Sequence, residues 1–414
     1  MRLATVAAVA CLAAGGAAGG VAAARPAVSI TPGRSLPDDS LAIRITHLAA
    51  GPASIGIRST DSAGFGWASS ATFRVGTDGT LDLATATARS GSYRGVWPMG
   101  LLVTMKPIQH DPDGAYVWTT FHRLRFELTV EQRGRQVAEQ TFARGFPGGL
   151  TERRLSVAND GLTGVFYAPR RTRGHAGVVI FGGSEGGFHT LVGALLAARG
   201  YPTLSLAYFR APGLPETLEH IPLEYFAKAI TWLAGQPQVD PARIAVGGIS
   251  YGSAAALLLA VHYPQLVHAV IASVPTNVSL CGISGNPPAC TGYAWTFDGR
   301  PVPHTSQFGN PAPTDVPAAV IPVEQITAPI FLDCAGRDEE WPSCPYARAI
   351  VARLASHHSS TRHVLYTFPA AEHFLGAFVP YEPGFGTTET AYESTERARE
   401  SLWPRLLRFL AVSL

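Results

Sequence analysis

The pattern of hydrophobic residues changes near residue 150, and this change constrains the fold more than any other feature of the sequence. From about residue 28 to 150, apolar residues alternate with polar ones, as Leu124, Phe126 and Leu128 do in "HRLRFELTVEQ". This alternation is typical of β-strands with one buried face. From about residue 175, continuous apolar runs such as "AGVVIFGG" alternate with helical stretches, which indicates a parallel sheet buried on both faces. The sequence therefore predicts a β-sandwich followed by a doubly wound α/β domain.

The chain of 414 residues is long enough for two domains with separate cores. We predict a signal peptide over residues 1–24, the β-sandwich over 28–150 and the α/β domain over 151–414. Within the α/β domain, residues 275–328 are rich in Pro and Gly and interrupt the alternation of strands and helices. A connection of that length is unusual unless it is functional. We therefore interpret it as a cap or a pocket wall.

The first residues have the features of an export signal. Arg2 supplies a positive charge, a short apolar stretch follows, and Ala22-Ala23-Ala24 offers a cleavage site of small residues. A membrane anchor is the alternative, but the apolar stretch is shorter than the roughly 20 residues that span a bilayer. Lipid attachment at Cys11 is a second alternative. The sequence predicts an exported protein, periplasmic or extracellular, without a stable membrane span.

Removal of the signal leaves four cysteines, an even number that in an exported protein favours disulfides. The simplest of the three pairings joins Cys281 to Cys290 and Cys334 to Cys344. A zinc site is the alternative, but neither pair has C-x-x-C spacing and no His lies beside them. Free thiols are a third interpretation. We predict no metal site and no cofactor.

The charge of the chain argues against a nucleic-acid partner. Only 15% of the residues are charged and the formal net charge is +2, so no basic surface for a polyanion is indicated. The 46% of hydrophobic residues is typical of an ordered globular protein. A small-molecule substrate is the partner that we expect.

A nucleophile motif lies in "GGISYGSAAAL", which directly follows a predicted strand and opens a predicted helix. It contains G-x-S-x-G as Gly248-Ile249-Ser250-Tyr251-Gly252. A strand that turns sharply into a helix needs small residues two positions before and after the serine, and the turn exposes the hydroxyl at a helix N-terminus. An incidental serine in a glycine-rich turn is the alternative. Because the motif lies between a strand and a helix, we predict that Ser250 is a nucleophile.

A serine nucleophile needs a base and an orienting carboxylate, which follow it in the order Ser, acid, His. Asp338 lies in a turn just beyond the predicted strand "PIFLDC" and is the candidate acid. Asp333, Glu339 and Glu340 compete with it, although Asp333 falls within the strand. His373, in "FPAAEHFLG", follows the next strand and is the candidate base. The bond between Cys334 and Cys344 would brace the loop that carries the acid.

A glycine-rich segment, "FGGSEGGF" (181–188), follows the first strand of the predicted parallel sheet. One backbone N–H from about Gly183 to Glu185, with Gly183 and Ser184 as the candidates, can join that of Tyr251 in an oxyanion hole. A phosphate-binding loop is the alternative, but the pattern G-x-x-x-x-G-K-[ST] is absent. We predict an oxyanion loop.

Several motifs in a fixed order resemble one protein family. They are "YRGVWPMGLLVTMKP" (93–107), "GGSEGG", "AYFRAPGLPETLEHIPLEYFAKAI", "GGISYG", "YAWTFDGRPVPH", "GRDEEWPS" and "AEHF". Together, from about residue 38 to 410, they resemble the acyl-CoA thioesterases and bile acid-CoA:amino acid N-acyltransferases. The resemblance implies an immunoglobulin-like N-terminal domain, an α/β-hydrolase domain, and a triad that matches Ser250, Asp338 and His373.

The identity of the nucleophile separates the two branches of this family. The resemblance implies a cysteine in the branch that transfers acyl groups to amino acids, whereas this chain has Ser250. Water attacks a serine acyl-enzyme more readily, so we predict a serine hydrolase that cleaves acyl thioesters. Export argues for the alternative of a carboxylesterase acting on esters without CoA. An N-acyltransferase, and a binding protein on an inactive hydrolase scaffold, are more distant alternatives.

Overall fold

The computed structural model describes residues 24–109, 116–146, 148–171, 173–285, 289–384 and 389–414. The predicted signal peptide, except for Ala24, and the alternative of lipid attachment at Cys11 lie outside the described residues. Within them, no helix combines the length and the apolar character that crossing a membrane requires.

The N-terminal domain consists mainly of two sheets that share one hydrophobic core. Leu124, Phe126, Leu128 and Val130 are buried while Arg125 is exposed, so the predicted alternation is confirmed. The immunoglobulin-like topology stays a prediction. In order across the larger sheet the strands are Lys106–Pro107, Gly66–Val75, Gly51–Thr60, Arg123–Gln132, Arg135–Gly145 and Arg34–Ser35, with Ser90–Gly91 beside Gly66–Val75. The smaller sheet contains Ala27–Thr31, Ala42–Thr46 and Leu81–Asp82; Thr87–Ala88 pairs with Gly95–Val96, and Gly100–Val103 is helical.

The C-terminal domain contains a sheet of eight strands in the order β1-β2-β4-β3-β5-β6-β7-β8. Strand β2 is antiparallel to β1 and β4, and the remaining neighbours are parallel. The carboxyl ends of β3, β5, β6, β7 and β8 therefore lie at the same edge. The strands are β1 Leu150–Leu155, β2 Thr163–Pro169, β3 His175–Phe181, β4 Thr203–Ala207, β5 Val239–Ile249, β6 Ala269–Ser273, β7 Ile330–Ala335 and β8 His363–Phe368.

Helices cover both faces of this sheet, which confirms the predicted doubly wound α/β architecture. Their bounds are α1 Thr190–Ala198, α2 Leu223–Ala234, α3 Tyr251–His262, α4 Ser343–Ser356 and α5 Glu389–Ser413, and a short helix spans Val157–Asp160. The apolar sides of α2, α3 and α4 join one core cluster. Those of α1 and α5 join the cluster on the opposite face. Helix α5 has 25 residues and continues through Pro404.

The long connection between β6 and β7 folds into short elements that lie over the start of α3. The hydroxyl of Tyr251 donates to the carbonyl of Cys281 at 3.2 Å, and the ring of Phe308 lies 6.4 Å from that of Tyr251. The segment 275–328 thus covers one side of the nucleophile motif. Its elements are the paired strands Gly282–Ser284 and Ala289–Thr291, the strands Trp295–Phe297 and Arg300–Pro301 beside Ile221–Pro222, and 3₁₀ turns at Pro317–Ala319 and Val323–Gln325.

Helix α5 also holds the two domains together through polar contacts. The indole of Trp97 donates to Glu400 at 2.9 Å, and the indole of Trp403 donates to Asp38 at 2.7 Å. The guanidinium of Arg199 also donates to Asp38, at 2.8 Å. Because Asp38 and Trp403 are both buried, these bonds are shielded from water.

Candidate active site

Ser250 occupies a sharp turn between β5, which ends at Ile249, and α3, which begins at Tyr251. Its backbone has φ 55° and ψ −124°, a conformation that non-glycine residues rarely adopt. Such strain at a strand-to-helix turn presents a nucleophilic hydroxyl above the edge of a sheet.

The two glycines of the motif are required by close backbone contacts. A β-carbon on Gly248 would lie 1.9 Å from the carbonyl oxygen of Gly252. One on Gly252 would lie 2.2 Å from the carbonyl oxygen of Gly182. Both contacts are far shorter than van der Waals distance, so a side chain at either position would displace the turn.

Asp338 and His373 are hydrogen-bonded to each other. The distance from His373 Nδ1 to Asp338 Oδ1 is 2.8 Å, and the Asp338 side chain is only 1% exposed. The backbone N–H groups of Glu340 and Trp341 donate to the same oxygen, each at 3.2 Å. These bonds fix the carboxylate, and an acceptor at Nδ1 leaves Nε2 of the imidazole to act as the base.

The competing carboxylates do not contact the imidazole. Asp333 lies inside β7, fully buried, and its Oδ1 accepts a hydrogen bond from the Ser273 hydroxyl at 2.7 Å. Burial raises the pKa of Asp333 to about 7. Glu339 and Glu340 are exposed. Among the four candidate acids, the structure brings only Asp338 to the histidine.

The short turn His373–Ala377 packs against the end of β5. A β-carbon on Gly376 would lie 2.6 Å from the side chain of Ile249, the residue before Ser250. The predicted base and nucleophile therefore lie at the same edge of the sheet. No hydrogen bond joins the Ser250 hydroxyl to the imidazole among the described residues. Such contacts often tighten only when substrate binds.

Trp341 connects the acid loop to the nucleophile turn, and sequence reasoning gave it no role. Its ring centroid lies 5.6 Å from that of His373 and 5.5 Å from that of Tyr251. Its indole donates to the carbonyl of Val274 at 3.0 Å. Its place between two cysteines, beside the candidate acid, was the available signal. The indole fixes the lateral position of the imidazole.

The loop 182–189 places backbone N–H groups beside Ser250. The hydroxyl of Tyr208 lies 3.0 Å from the carbonyl oxygen of Gly182 and 2.8 Å from that of Gly183. Because a trans peptide directs its N–H opposite its carbonyl, the N–H groups of Gly183 and Ser184 point away from Tyr208. A β-carbon on Gly183 would lie 2.6 Å from Ser250 Cβ. Tyr208 thus orients the predicted oxyanion loop, and no spacing in the sequence identified it.

Of the three predicted oxyanion donors, the N–H of Gly183 already has a hydrogen-bond acceptor in the structure. The N–H of Tyr251 opens helix α3, where the first N–H groups have no acceptor within the helix. Ser184 is exposed. The N–H of Gly183, however, donates to Oε1 of Glu185 at 2.8 Å. An internal carboxylate therefore occupies one of the donors.

Both predicted cysteine pairs are joined as disulfides in the structure. One joins Cys281 to Cys290 in the segment over α3. The other joins Cys334, in β7, to Cys344, in α4, and so closes the loop that carries Asp338. A covalent loop of this size restricts the unfolded chain.

Two sequence models of the same family match the chain. The model described as "Acyl-CoA thioester hydrolase/BAAT N-terminal region" matches residues 38–155. The model described as "BAAT / Acyl-CoA thioester hydrolase C terminal" matches residues 221–412. The two matches follow each other in order and together cover well over half of the chain. The chain belongs to the acyl-CoA thioester hydrolase/BAAT family.

Curated relatives agree with this membership. The chain is 27% identical to acyl-coenzyme A thioesterase 2, mitochondrial, of Rattus norvegicus, over 86% of this chain and 80% of that protein. It is 28% identical to acyl-coenzyme A thioesterase 1 of Homo sapiens, over 85% of each. Among solved structures it is similar to MGS-M1, an alpha/beta hydrolase enzyme from a deep-sea metagenome library. That match has 17% identity and a TM-score of 0.42, and covers 63% of this chain and 98% of the other.

Membership in this family confirms the resemblance predicted from the sequence motifs. The sheet order β1-β2-β4-β3-β5-β6-β7-β8, with β2 antiparallel to its neighbours, agrees with the predicted α/β-hydrolase fold. This acyl-CoA thioester hydrolase/BAAT family member is an enzyme of the thioester and ester hydrolase type.

Proposed function

We propose that this family member cleaves acyl thioesters through a Ser250-His373-Asp338 triad and an acyl-enzyme. The observation that carries the proposal is the 2.8 Å bond between His373 Nδ1 and Asp338 beside the strained turn at Ser250. A serine, a buried carboxylate and a histidine, in this chain order, form the relay of one class of serine hydrolases.

The proposed reaction has two half-steps. His373 Nε2 takes the Ser250 proton while the serine oxygen attacks the acyl carbonyl, and backbone N–H groups bind the oxyanion. The intermediate collapses, and the thiol leaves with the proton that the imidazole returns. Water, deprotonated by His373, then attacks the acyl-enzyme, releases the acid and restores Ser250. Asp338 stabilises the imidazolium in both steps.

An acyl-CoA thioester is the substrate class that we propose. The curated relatives are named acyl-coenzyme A thioesterases. The surroundings of the site favour an apolar acyl group, because Phe308 packs against Tyr251 and is 44% exposed, and Phe374, beside His373, is 49% exposed. Exposed aromatic rings at a catalytic edge suit a hydrocarbon chain.

Hydrolysis of a palmitoyl thioester of CoA, compared with a p-nitrophenyl ester of the same acyl group, tests the substrate class. We expect a kcat/KM for the thioester at least about tenfold higher, because the family relationship favours CoA as the leaving group. Glycine or taurine added to the assay should leave free acid as the sole acyl product. A preference for the simple ester would favour the carboxylesterase alternative, and an amide product would favour the N-acyltransferase.

An exported location is the second part of the proposal. It is supported by the two disulfides, because such bonds persist mainly in oxidising compartments. We expect the N-terminus of the secreted protein to begin near Ala24 or Arg25. A secreted or cell-associated protein that retains Arg2 would contradict cleavage.

A further inference from the structure

The carboxylate of Glu185 binds one of the predicted oxyanion donors. Its Oε1 accepts the Gly183 N–H at 2.8 Å. Its Oε2 and Ser250 Cβ lie 3.0 Å and 2.6 Å, respectively, from the position of a β-carbon added to Gly183. The carboxylate and the nucleophile therefore approach the same face of Gly183.

His189 holds this carboxylate in place. Its Nε2 lies 2.6 Å from Oε1 of Glu185, which is four residues earlier in the same loop. Burial alone would raise the pKa of Glu185, but the hydrogen bond and charge of His189, with the N–H of Gly183, hold that pKa below its usual range. Glu185 is therefore ionised at neutral pH. Its side chain remains 52% exposed, so it has room to turn into solvent.

An anion at this position opposes the charge that develops during the reaction. A backbone N–H makes one strong hydrogen bond at a time, and a substrate carbonyl becomes negatively charged as the serine attacks it. Glu185 both occupies the donor and repels the forming oxyanion. It must leave before Gly183 can stabilise the transition state.

We propose that Glu185 is an internal competitor for the oxyanion hole, which holds the Gly183 N–H in the free enzyme until a substrate carbonyl displaces it. The proposal rests on the proposed function of Ser250 and adds a regulatory contact at the same site. Part of the binding energy of a substrate is then used to displace the carboxylate. Substrates whose remote groups bind well are favoured over short activated esters.

Glu185→Ala tests the proposal in the full-length enzyme. We expect kcat/KM for a short p-nitrophenyl ester to rise roughly tenfold, the factor that corresponds to removing a competing charge-assisted hydrogen bond. Glu185→Gln should give a smaller rise, because its amide oxygen accepts the same bond without the charge. Glu131→Ala removes an exposed carboxylate on the strand Arg123–Gln132 of the N-terminal domain and serves as the matched control, with unchanged kcat/KM.

Inhibition by an alkyl trifluoromethyl ketone gives a second readout. Its adduct with the serine places an oxyanion in the hole, so its inhibition constant should fall in Glu185→Ala by about the same factor as kcat/KM rises. If Glu185 merely supported the loop, both variants would lose activity and bind the ketone more weakly. Unchanged or lower kcat/KM in both variants overturns the proposal.

Failure of the proposed function has a different signature. A wild-type enzyme that hydrolyses neither esters nor thioesters, and that the ketone does not inhibit, contradicts the serine hydrolase assignment itself. A wild-type enzyme that is active and inhibited, with Glu185→Ala no faster, contradicts only the role of Glu185. If Glu185→Ala loses thermal stability, kcat/KM of Glu185→Gln is compared with that of the wild type instead. A higher value in Glu185→Gln then supports the role of Glu185 as a competitor, and an unchanged or lower value contradicts it.

Discussion

Replacement of Ser250 by Ala is expected to lower kcat for an acyl thioester by about 10⁴-fold or more, since the covalent route is lost while substrate binding remains. The side chain is small and the φ of 55° at this position is set by the surrounding backbone, so the fold should persist. Steady-state hydrolysis of an acyl-CoA and the thermal midpoint of the variant are the measurements.

Ser253→Ala is the matched control. Ser253 lies one turn further along helix α3, is fully buried, and its Oγ accepts the N–H of Thr276 at 3.2 Å. Its replacement disturbs packing near the nucleophile without removing a reacting group, so kcat should stay within a few-fold of wild type. A Ser250→Ala enzyme that retains wild-type kcat would disprove the assignment of the nucleophile.

Asp338→Asn should reduce kcat by about 10³- to 10⁴-fold. The amide carries no negative charge, so it no longer stabilises the imidazolium that forms when His373 accepts the serine proton. The 2.8 Å geometry leaves room for the amide without a large shift. kcat across pH 5 to 9 is the measurement, and the loss should persist throughout that range.

Asp333→Asn distinguishes the role of Asp338 from a general need for carboxylates near β7. Asp333 does not contact His373, so this variant should hydrolyse substrate at close to the wild-type rate. A loss equal to that of Asp338→Asn would mean that the two carboxyl groups act as one unit and would contradict the assignment of the acid.

Asp333→Asn is also expected to change how the free energy of unfolding depends on pH. The folded pKa of Asp333 is about 7, above the value of roughly 3.9 in an unfolded chain. Between these two pKa values, the folded state holds a proton on Asp333 that the unfolded state has lost. The free energy of unfolding of the wild type therefore falls as pH rises through this window. Asn keeps the bond from Ser273 without a charge, so the variant gains stability relative to the wild type as pH rises through this window. The gain is complete above pH 7 and amounts to at most about 4 kcal/mol.

Features set by local sequence patterns were predictable. Alternation at Leu124, Phe126 and Leu128 fixed which face of that strand is buried. The two glycines around Ser250 predicted the sharp turn, because their requirement is steric and local. The sequence favours Asp338 over Asp333 because Asp338 follows a predicted strand whereas Asp333 lies within it. The structure places only Asp338 against His373.

Features that depend on side-chain orientation across the fold were not predictable. The contact between Glu185 and the Gly183 N–H depends on the path of a glycine-rich loop, which sequence alone does not determine. Tyr208 is at the end of a different strand, and its contacts with that loop arise from the order of β3 and β4 in the sheet. Helix α5 continues across Pro404 because it packs on both domains, which outweighs the low helix propensity of proline.

Helix α5 contacts residues that are synthesised several hundred positions before it. Asp38 and Trp403 are 365 positions apart, and Trp97 and Glu400 are 303 apart. The N-terminal domain can collapse during synthesis, but its polar seam with α5 stays open until Trp403 has been added to the chain. Contacts of such large sequence separation slow the docking of the two domains. The relative position of the two domains is therefore fixed only after α5 has been synthesised.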